Sequence, residues 1–321
     1  MLNKTLLEID GIVSRVNTHP EYSGCVAREK YHFLREEAAE HSLDIELASD
    51  RKKLTGKQRE LFLQRIGRAQ EFLAQSGLSM YSLSKLGNII EPEANPSGGF
   101  RNLEVSFGDF YGTKPATLHY EVRDMLDFLS ASDSHPVVRA AQSHVELVRI
   151  HPYGDGNGRV ARLLQNFCLQ QRNYPPAIIP SDNRDKYINL MRTVLQDRVK
   201  GKGSLFDPSV RETEFYDFVA QEVLSSAKQL EDELRVKRIY HVNLTNVHDP
   251  RTVGTIASIL RNAGRRPGSK GVNVLINKKN GHKRGESLKV VGDIGRDELV
   301  HDLEKFCPKY RIHFVIEDRF C

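Results

Sequence analysis

The chain has 321 residues, 39% hydrophobic and 28% charged, with a formal net charge of +5 at pH 7; that length can bury a large core and is enough for two domains or more. No apolar run reaches membrane length, and residues 1–20 lack the apolar centre of a secretory signal. Cys25, Cys168, Cys307 and Cys321 follow neither a metal-ligand spacing nor a disulfide framework, so a cytoplasmic protein with free thiols is expected.

In chain order, the first 55 residues are predicted to be helical and amphipathic, broken around Pro20 to Gly24. A helix follows over Leu61–Gln75, then a loop rich in Pro, Gly and Asn over Gly87–Gly99. Phe100 to Pro115, β-branched and aromatic with Gly108 and Gly112, predicts a short hairpin. Helices then dominate to about Leu234. Pro136–Ile150 repeats Val137, Ala140, Ala141, His144, Val145 and Val148 at helical spacing, and a helix beginning near Arg159 does so with Val160, Leu163, Leu164, Phe167 and Cys168. His144, on the apolar face, reads as a core histidine.

Beyond Arg238 the pattern changes to a strand (Ile239–Leu244), a helix (Thr252–Asn262, ended by Gly264), and two strands (Val272–Ile276, Leu288–Val291) bracketing a basic turn over Asn277–Gly285. A helix at Asp297–Phe306 and a strand at Ile312–Ile316 complete a β-α-β-β-α-β order, which is ferredoxin-like. Charge changes at the same place: 18 Lys and Arg stand against 9 Asp and Glu from Arg235 onward, leaving 29 against 33 before it. Basic domains of this kind often bind nucleic acid, and Lys278, Lys279, Lys283 and Arg284 share one turn. The strands carry no aromatic RNA-binding signature, so a solvated basic hairpin, or a surface for dimerisation or target docking, is preferred. The expected fold class is mainly α, a helical core with a short β-hairpin flap, plus a small C-terminal α+β ferredoxin-like domain.

The chemistry concentrates in residues 151–162, His-Pro-Tyr-Gly-Asp-Gly-Asn-Gly-Arg-Val-Ala-Arg, lying between two helices. Gly154, Gly156 and Gly158 permit backbone angles that let successive N–H groups point into one concavity. That concavity meets a helix N-terminus, where unpaired donors and the dipole favour an anion. Arg159 and Arg162 fall on one helical face and can add charge-assisted contacts to phosphate. Asp155 suits Mg²⁺ held against phosphate oxygens, and His151 suits a general base near neutral pH. A calcium-binding EF-hand alignment fails, because it puts Tyr153 at the first acid and Leu164 at the closing glutamate. A dinucleotide fingerprint needs other glycine spacings and a preceding strand.

This run resembles the signature of the Fic family, His-Pro-Phe-x-(Asp/Glu)-Gly-Asn-Gly-Arg-x-x-Arg, departing only at Tyr153. That swap keeps the ring and adds a hydroxyl needing a partner. Gly99-Phe100-Arg101, His135-Pro136-Val137 and Asn183-Arg184-x-x-Tyr187 fit the same resemblance, which covers roughly residues 35–200. Together with the change of charge and pattern near 235, it gives an expected N-terminal helical region over 1–95 carrying the inhibitory-like helix and a catalytic core over 96–235; the basic C-terminal domain over 236–321 rests on that change alone. The resemblance further implies transfer of AMP from ATP, with Mg²⁺, to a Ser, Thr or Tyr hydroxyl of a protein, self-modification and a homodimer being open. His151 would be the base and Asp155 the metal ligand. Gly156, Asn157 and Gly158 would receive phosphate oxygens, and Arg159 and Arg162 would fix the β- and γ-phosphates. Phe100–Pro115 resembles the family's flap, which pairs with the target as an added strand. Tyr187 falls where such proteins often place a residue beside adenine, although a helical tyrosine also serves simple packing.

Ser42-Leu43-Asp44-Ile45-Glu46-Leu47 resembles the family's inhibitory signature, (Ser/Thr)-x-x-x-Glu-(Gly/Asn), with Leu47 in place of the small residue. A carboxylate at Glu46 would pair with Arg162, occupy the γ-phosphate space and repel the nucleotide. The same arrangement in some relatives removes AMP from a modified protein, which is the nearest alternative activity. The resemblance leaves the donor's base open.

Overall fold

The structure is a computed structural model and describes residues 2–18, 25–50, 55–236, 238–245, 250–263, 272–278, 285–292, 296–310 and 312–317. The expected break at Pro20–Gly24, the helix stop at Gly264 and the turn residues Lys279, Lys283 and Arg284 lie outside the described residues. The chain divides into two compact units, residues 1–14 with 31–228 and residues 15–30 with 229–321.

The helices wholly or mainly in the first unit are α1 (Leu2–Thr18), α2 (Cys25–Asp50), α3 (Gly56–Ser76), α4 (Met80–Ile90), α5 (Pro115–Ala131), α6 (Pro136–Ile150), α7 (Asn157–Gln170), α8 (Arg184–Val199) and α9 (Val210–Val236). Two short strands, β1 (Ser106–Phe107) and β2 (Phe110–Tyr111), pair antiparallel between α4 and α5. At the centre lies α6, flanked by α7. Every apolar position the sequence marks on these two helices is buried, each fully buried Val, Leu or Phe side chain stabilising the fold by about 1.5–3 kcal/mol. Proline at the first helical position starts α5 and α6, and the His135 ring accepts from the Val137 amide.

Two boundaries differ from the expectation. Helix α3 begins five residues before Leu61, because Thr55 and Gln58 form a capping box. The loop predicted from Gly87 begins only at Glu91: Gly87 lies inside α4, a helix the sequence reading did not identify, started by a Ser79–Ser82 capping box. A glycine there is explained by packing. A Cβ on it would stand 2.3 Å from Cδ1 of the Tyr153 ring.

The second unit holds a four-stranded antiparallel sheet in the order β4-β5-β3-β6, made of β3 (Arg238–Thr245), β4 (Val272–Lys278), β5 (Gly285–Gly292) and β6 (His313–Glu317). Helices α10 (Pro250–Ala263) and α11 (Arg296–Phe306) follow β3 and β5. Tyr240, Val242, Leu244, Val274, Leu288 and Val290 are buried in one core with Ile256, Leu260, Leu299 and Leu303. Alternate strand residues thus face the helices, as period-two patterning requires. Among the described residues no helix is long and apolar enough to cross a membrane.

Candidate functional site

Helix α6 ends at His151, which takes a left-handed conformation (φ 54°, ψ 58°) as its C-cap. Such a conformation is uncommon outside glycine and turns the chain sharply into the loop. The ring Nδ1 lies 3.1 Å from the Val148 carbonyl oxygen. A carbonyl only accepts, so Nδ1 carries the proton and Nε2 keeps its lone pair. Phe107 of β1 stacks on this ring at 3.8 Å between centroids, the planes 5° apart. Burial, reinforced by the charge of Arg101, pushes the imidazole down to about 4 against the raising effect of the Val148 bond. The ring is therefore neutral at pH 7.

Arg101 ties the flap to this loop. Its Nε donates to the His151 carbonyl at 2.7 Å, Nη1 to Leu103 at 2.6 Å and Nη2 to Thr113 at 2.6 Å. The Arg101 amide donates to the Pro152 carbonyl, and Thr113 N–H to Ile150. At the hairpin tip Asp109 pairs with Arg192 of α8.

Of the three glycines in the loop, only Gly156 has a positive φ, 87°, and it caps α7. The expectation that all three glycines serve unusual angles is corrected here: Gly154 and Gly158 have ordinary φ, and Gly154 is needed for space against backbone, while Gly158 faces only side-chain ends. A Cβ on Gly154 would meet the Ala94 carbonyl at 2.8 Å, and one on Gly158 would meet Glu46 Oε1 at 2.8 Å. The Gly154 amide donates to Asn95 Oδ1, the Gly156 amide to Asp155 Oδ1, and the Tyr153 amide to Asn157 Oδ1. Donors facing an incoming anion are therefore those of the first α7 turn, Asn157 to Arg159, which a helix leaves without partners of its own. Asn157 steadies the loop, its side-chain Nδ2 also donating to the Tyr153 carbonyl at 3.0 Å. Tyr153 is fully buried, and its hydroxyl donates to the Leu83 carbonyl at 2.5 Å.

Both arginines are buried and each meets a carboxylate. Arg159 Nη1 donates to Glu91 Oε2 at 2.7 Å. Arg162 Nη2 donates to Glu46 Oε1 at 2.6 Å and to the Ser42 carbonyl at 3.1 Å, while Nε donates to Ser42 Oγ at 2.8 Å. Helix α2 thus delivers Ser42 and Glu46, one turn apart, to α7. Burial alone would raise the Glu46 carboxyl, but the adjacent Arg162 charge and hydrogen bond outweigh it and hold it below its usual value. Tyr187 is only 3% exposed. It lies under Arg162, accepting from Nη1 at 3.3 Å and bonding His144 Nε2 at 2.9 Å, so its surroundings are a buried polar network. His144, pushed down to about 3 chiefly by burial, bonds Gln165 on its other side.

Asp155 is the one exposed acid of the loop, its side chain 66% accessible. Among the described residues no group of three His, Cys, Asp or Glu could cage a metal. One exposed carboxylate beside an anion site suits Mg²⁺, which keeps waters and shares its shell with substrate phosphates.

Residues 78–169 match the Fic/DOC family model. Over that stretch the chain is similar to a Fic domain. Similar curated proteins include the protein adenylyltransferase Fic of Drosophila willistoni, 42% identical over 98 residues, which is 30% of this chain and 20% of that protein. Protein adenylyltransferase fic-1 of Caenorhabditis elegans is 37% identical over 105 residues, 32% of this chain and 20% of that protein. The chain thus matches about a fifth of the length of these curated relatives. In fold, it is similar to a Fic-domain signalling protein of Bacteroides thetaiotaomicron (TM-score 0.59, 18% identity, 72% of this chain and 96% of that one). A stretch of C. elegans Fic-1 is similar as well (TM-score 0.54, 22% identity, 71% of each chain).

Sequence reasoning did not find Glu91, Asn95 or Phe107. Each contacts the loop across tens of residues, and no local spacing marks such a partner. Asn95 had one available signal, an Asn-Pro pair in a glycine-rich stretch.

Proposed function

We propose that this protein transfers AMP from ATP to a hydroxyl side chain of a protein, and that Glu46 restrains the reaction. The observation that carries this reading is the tautomer of His151. With Nδ1 committed to Val148, the neutral ring offers Nε2 to a proton beside the N-terminal turn of α7.

The target's hydroxyl oxygen bonds to the α-phosphorus and its proton passes to Nε2 of His151. The bond from that phosphorus to the bridging oxygen breaks, and pyrophosphate departs. Amides of Asn157, Gly158 and Arg159 receive phosphate oxygens, and the two guanidinium groups hold the tail. Asp155 would hold Mg²⁺, which when bound neutralises charge developing on the phosphates. Little bonding is asked of the protein beyond alignment and charge. Tyr187 acts here through Arg162 rather than through adenine. The flap, stacked on the base by Phe107, receives the target segment.

The same site run with Glu46 in place supports a second reading, removal of AMP from a modified protein, because the Glu46 carboxylate is ionised within the phosphate space. We assign the C-terminal unit a ferredoxin-like fold from its strand order, with a docking role rather than nucleic-acid binding. The buried free thiols of Cys168 and Cys307 fit a reducing cytoplasm.

The test is intact mass after incubating the Glu46→Gly protein with ATP and Mg²⁺, alone and with a cell extract. Gain of one AMP on the protein or on an extract protein is expected, and none in His151→Ala. A phosphate gain, or no gain in either form, overturns the assignment.

A further inference from the structure

Arg159 is 6% exposed, yet only one arm of its guanidinium group is taken up by a close partner. Nη1 is held by Glu91 at 2.7 Å, while Nη2 turns toward the glycine loop, 3.7 Å from Asp155 Oδ2 and 3.8 Å from where a Cβ on Gly156 would lie. The guanidinium carbon stands 5.3 Å over the Phe62 ring. Nε is buried without a hydrogen-bond partner among the described residues. Glu91 Oε1 sits 3.8 Å from Arg65, which is itself bonded twice to Glu93, at 2.7 and 3.0 Å.

Glu91 is also fixed from its backbone. It is the C-cap of α4, its amide donating to Gly87, and its carbonyl accepts from the Asn95 side chain at 2.9 Å. Asn95 Nδ2 reaches the Asp155 carbonyl as well, and its Oδ1 takes the Gly154 amide. One asparagine therefore registers the acid against the loop it serves. A planar five-donor fork has several ways to face a phosphate, and clamping one arm selects the other.

We infer that Glu91 is a positioning residue for the nucleotidyl transfer proposed above, holding Nη1 of Arg159 so that Nη2 is presented to the triphosphate tail. The inference rests on that proposed reaction. It differs from the Glu46 relation: Glu46 stands where phosphate would go, whereas Glu91 lies behind its arginine.

The test uses the full chain in a Glu46→Gly background, with ATP and AMP affinities, the rate of AMP transfer and Tm measured for three variants. Glu91→Ala is expected to weaken ATP about 10-fold and slow transfer by at least as much, with AMP changed less than about 3-fold, since AMP lacks the tail that Arg159 meets. Glu91→Gln keeps the acceptor and the length, so it recovers most of both losses. Glu91→Asp keeps the charge but withdraws it by one methylene, and is expected to lose ATP affinity like the alanine form; it also serves if that form does not fold. Tighter ATP in Glu91→Ala and Glu91→Gln would show a competing acid instead. Equal losses of ATP and AMP with a lowered Tm would show a merely structural one, and unchanged ATP affinity in Glu91→Asp would also overturn the inference. If the Glu46→Gly parent binds ATP but transfers no AMP, the reaction reading alone fails and the affinity arm still decides Glu91. A parent that binds no ATP overturns both.

Discussion

Glu46 Oε1 lies 2.6 Å from Nη2 of Arg162 and would lie 2.8 Å from a Cβ on Gly158, so one carboxylate oxygen covers both an arginine and the amide turn beside it. A γ-phosphate seeking those donors must displace it. Charge-assisted hydrogen bonds of this type contribute about 1.5–3 kcal/mol each, so Glu46→Gly is expected to raise AMP transfer by about 10- to 100-fold. Ser42→Ala, which removes only the contact to Nε, should raise it less. Labelling with ATP carrying a radioactive α-phosphate measures both. Equal labelling of wild type and Glu46→Gly would remove Glu46 from any inhibitory role.

The acid side of the pH profile should report His151. Its pKa in the nucleotide-free protein is lowered from 6.5 to about 4, so the base stays unprotonated well below neutrality. The acid limb of kcat/KM, which reports the free enzyme, is expected near pH 4 to 5 rather than 6.5. The sign for stability follows from the same shift. A histidine whose folded pKa is depressed contributes stability that is complete above about 6.5 and is lost as pH falls toward 4, because only the unfolded chain takes up the proton. His144, lowered to about 3, acts in the same direction. Urea unfolding at pH 7, 5.5 and 4.5 should show falling stability, with a shallower fall in His151→Ala. An acid limb at 6.5 in a protein that keeps its fold would contradict the buried, neutral ring.

Much of this site was legible because its chemistry is local. Residues 151–162 are contiguous, so the base, the exposed acid and the two arginines could be placed on a loop and a helix start from spacing alone. Ser42 and Glu46 were legible as a pair one helical turn apart, although nothing in the sequence shows that α2 lies against α7. The helical core followed from the periodicity of α6 and α7, although the structure buries both helices on nearly every side, polar residues such as Gln142, Glu146 and Gln165 included. Legibility failed where a residue's reason lies far along the chain. Gly87 reads as a helix breaker until the Tyr153 ring is seen against it, and Glu91 reads as a surface acid until Arg159 meets it. Gly154 was understood as a conformational glycine when its need is room beside the Ala94 carbonyl.

Arg101 should separate flap order from nucleotide binding. Its guanidinium group holds the carbonyls of His151, Leu103 and Thr113 but touches none of the amides at the start of α7. Arg101→Ala is expected to loosen residues 103–113, raising their amide hydrogen exchange, and to lower the rate of transfer to a protein target by about 10-fold or more through misplacement of the flap. ATP affinity should change by less than about 3-fold, since the tail is held elsewhere. Should ATP binding fall as far as the rate, Arg101 would be supporting the phosphate site itself.

The packing of Tyr153 on Gly87 yields a test of the fold beneath the site. An exposed helical glycine changed to alanine usually stabilises, by about 0.5–1 kcal/mol. At Gly87 the new methyl would stand 2.3, 2.8 and 2.9 Å from Cδ1, Cγ and Cε1 of Tyr153, all within van der Waals overlap. The ring has no room to retreat, being fully buried with its hydroxyl on the Leu83 carbonyl one helical turn before Gly87. Gly87→Ala is therefore expected to destabilise by about 1–3 kcal/mol, the usual cost of overfilling a packed core. Tyr153→Ala costs about 3–5 kcal/mol by itself through the cavity it leaves. In the double variant the methyl enters that cavity, so the penalty at Gly87 should vanish or reverse, giving a coupling on the order of 1–3 kcal/mol between residues in direct contact. Chemical denaturation of the four proteins in this cycle measures it. Additive losses would mean that the ring and the helix do not touch as described, and the loop that Tyr153 anchors would then need another support.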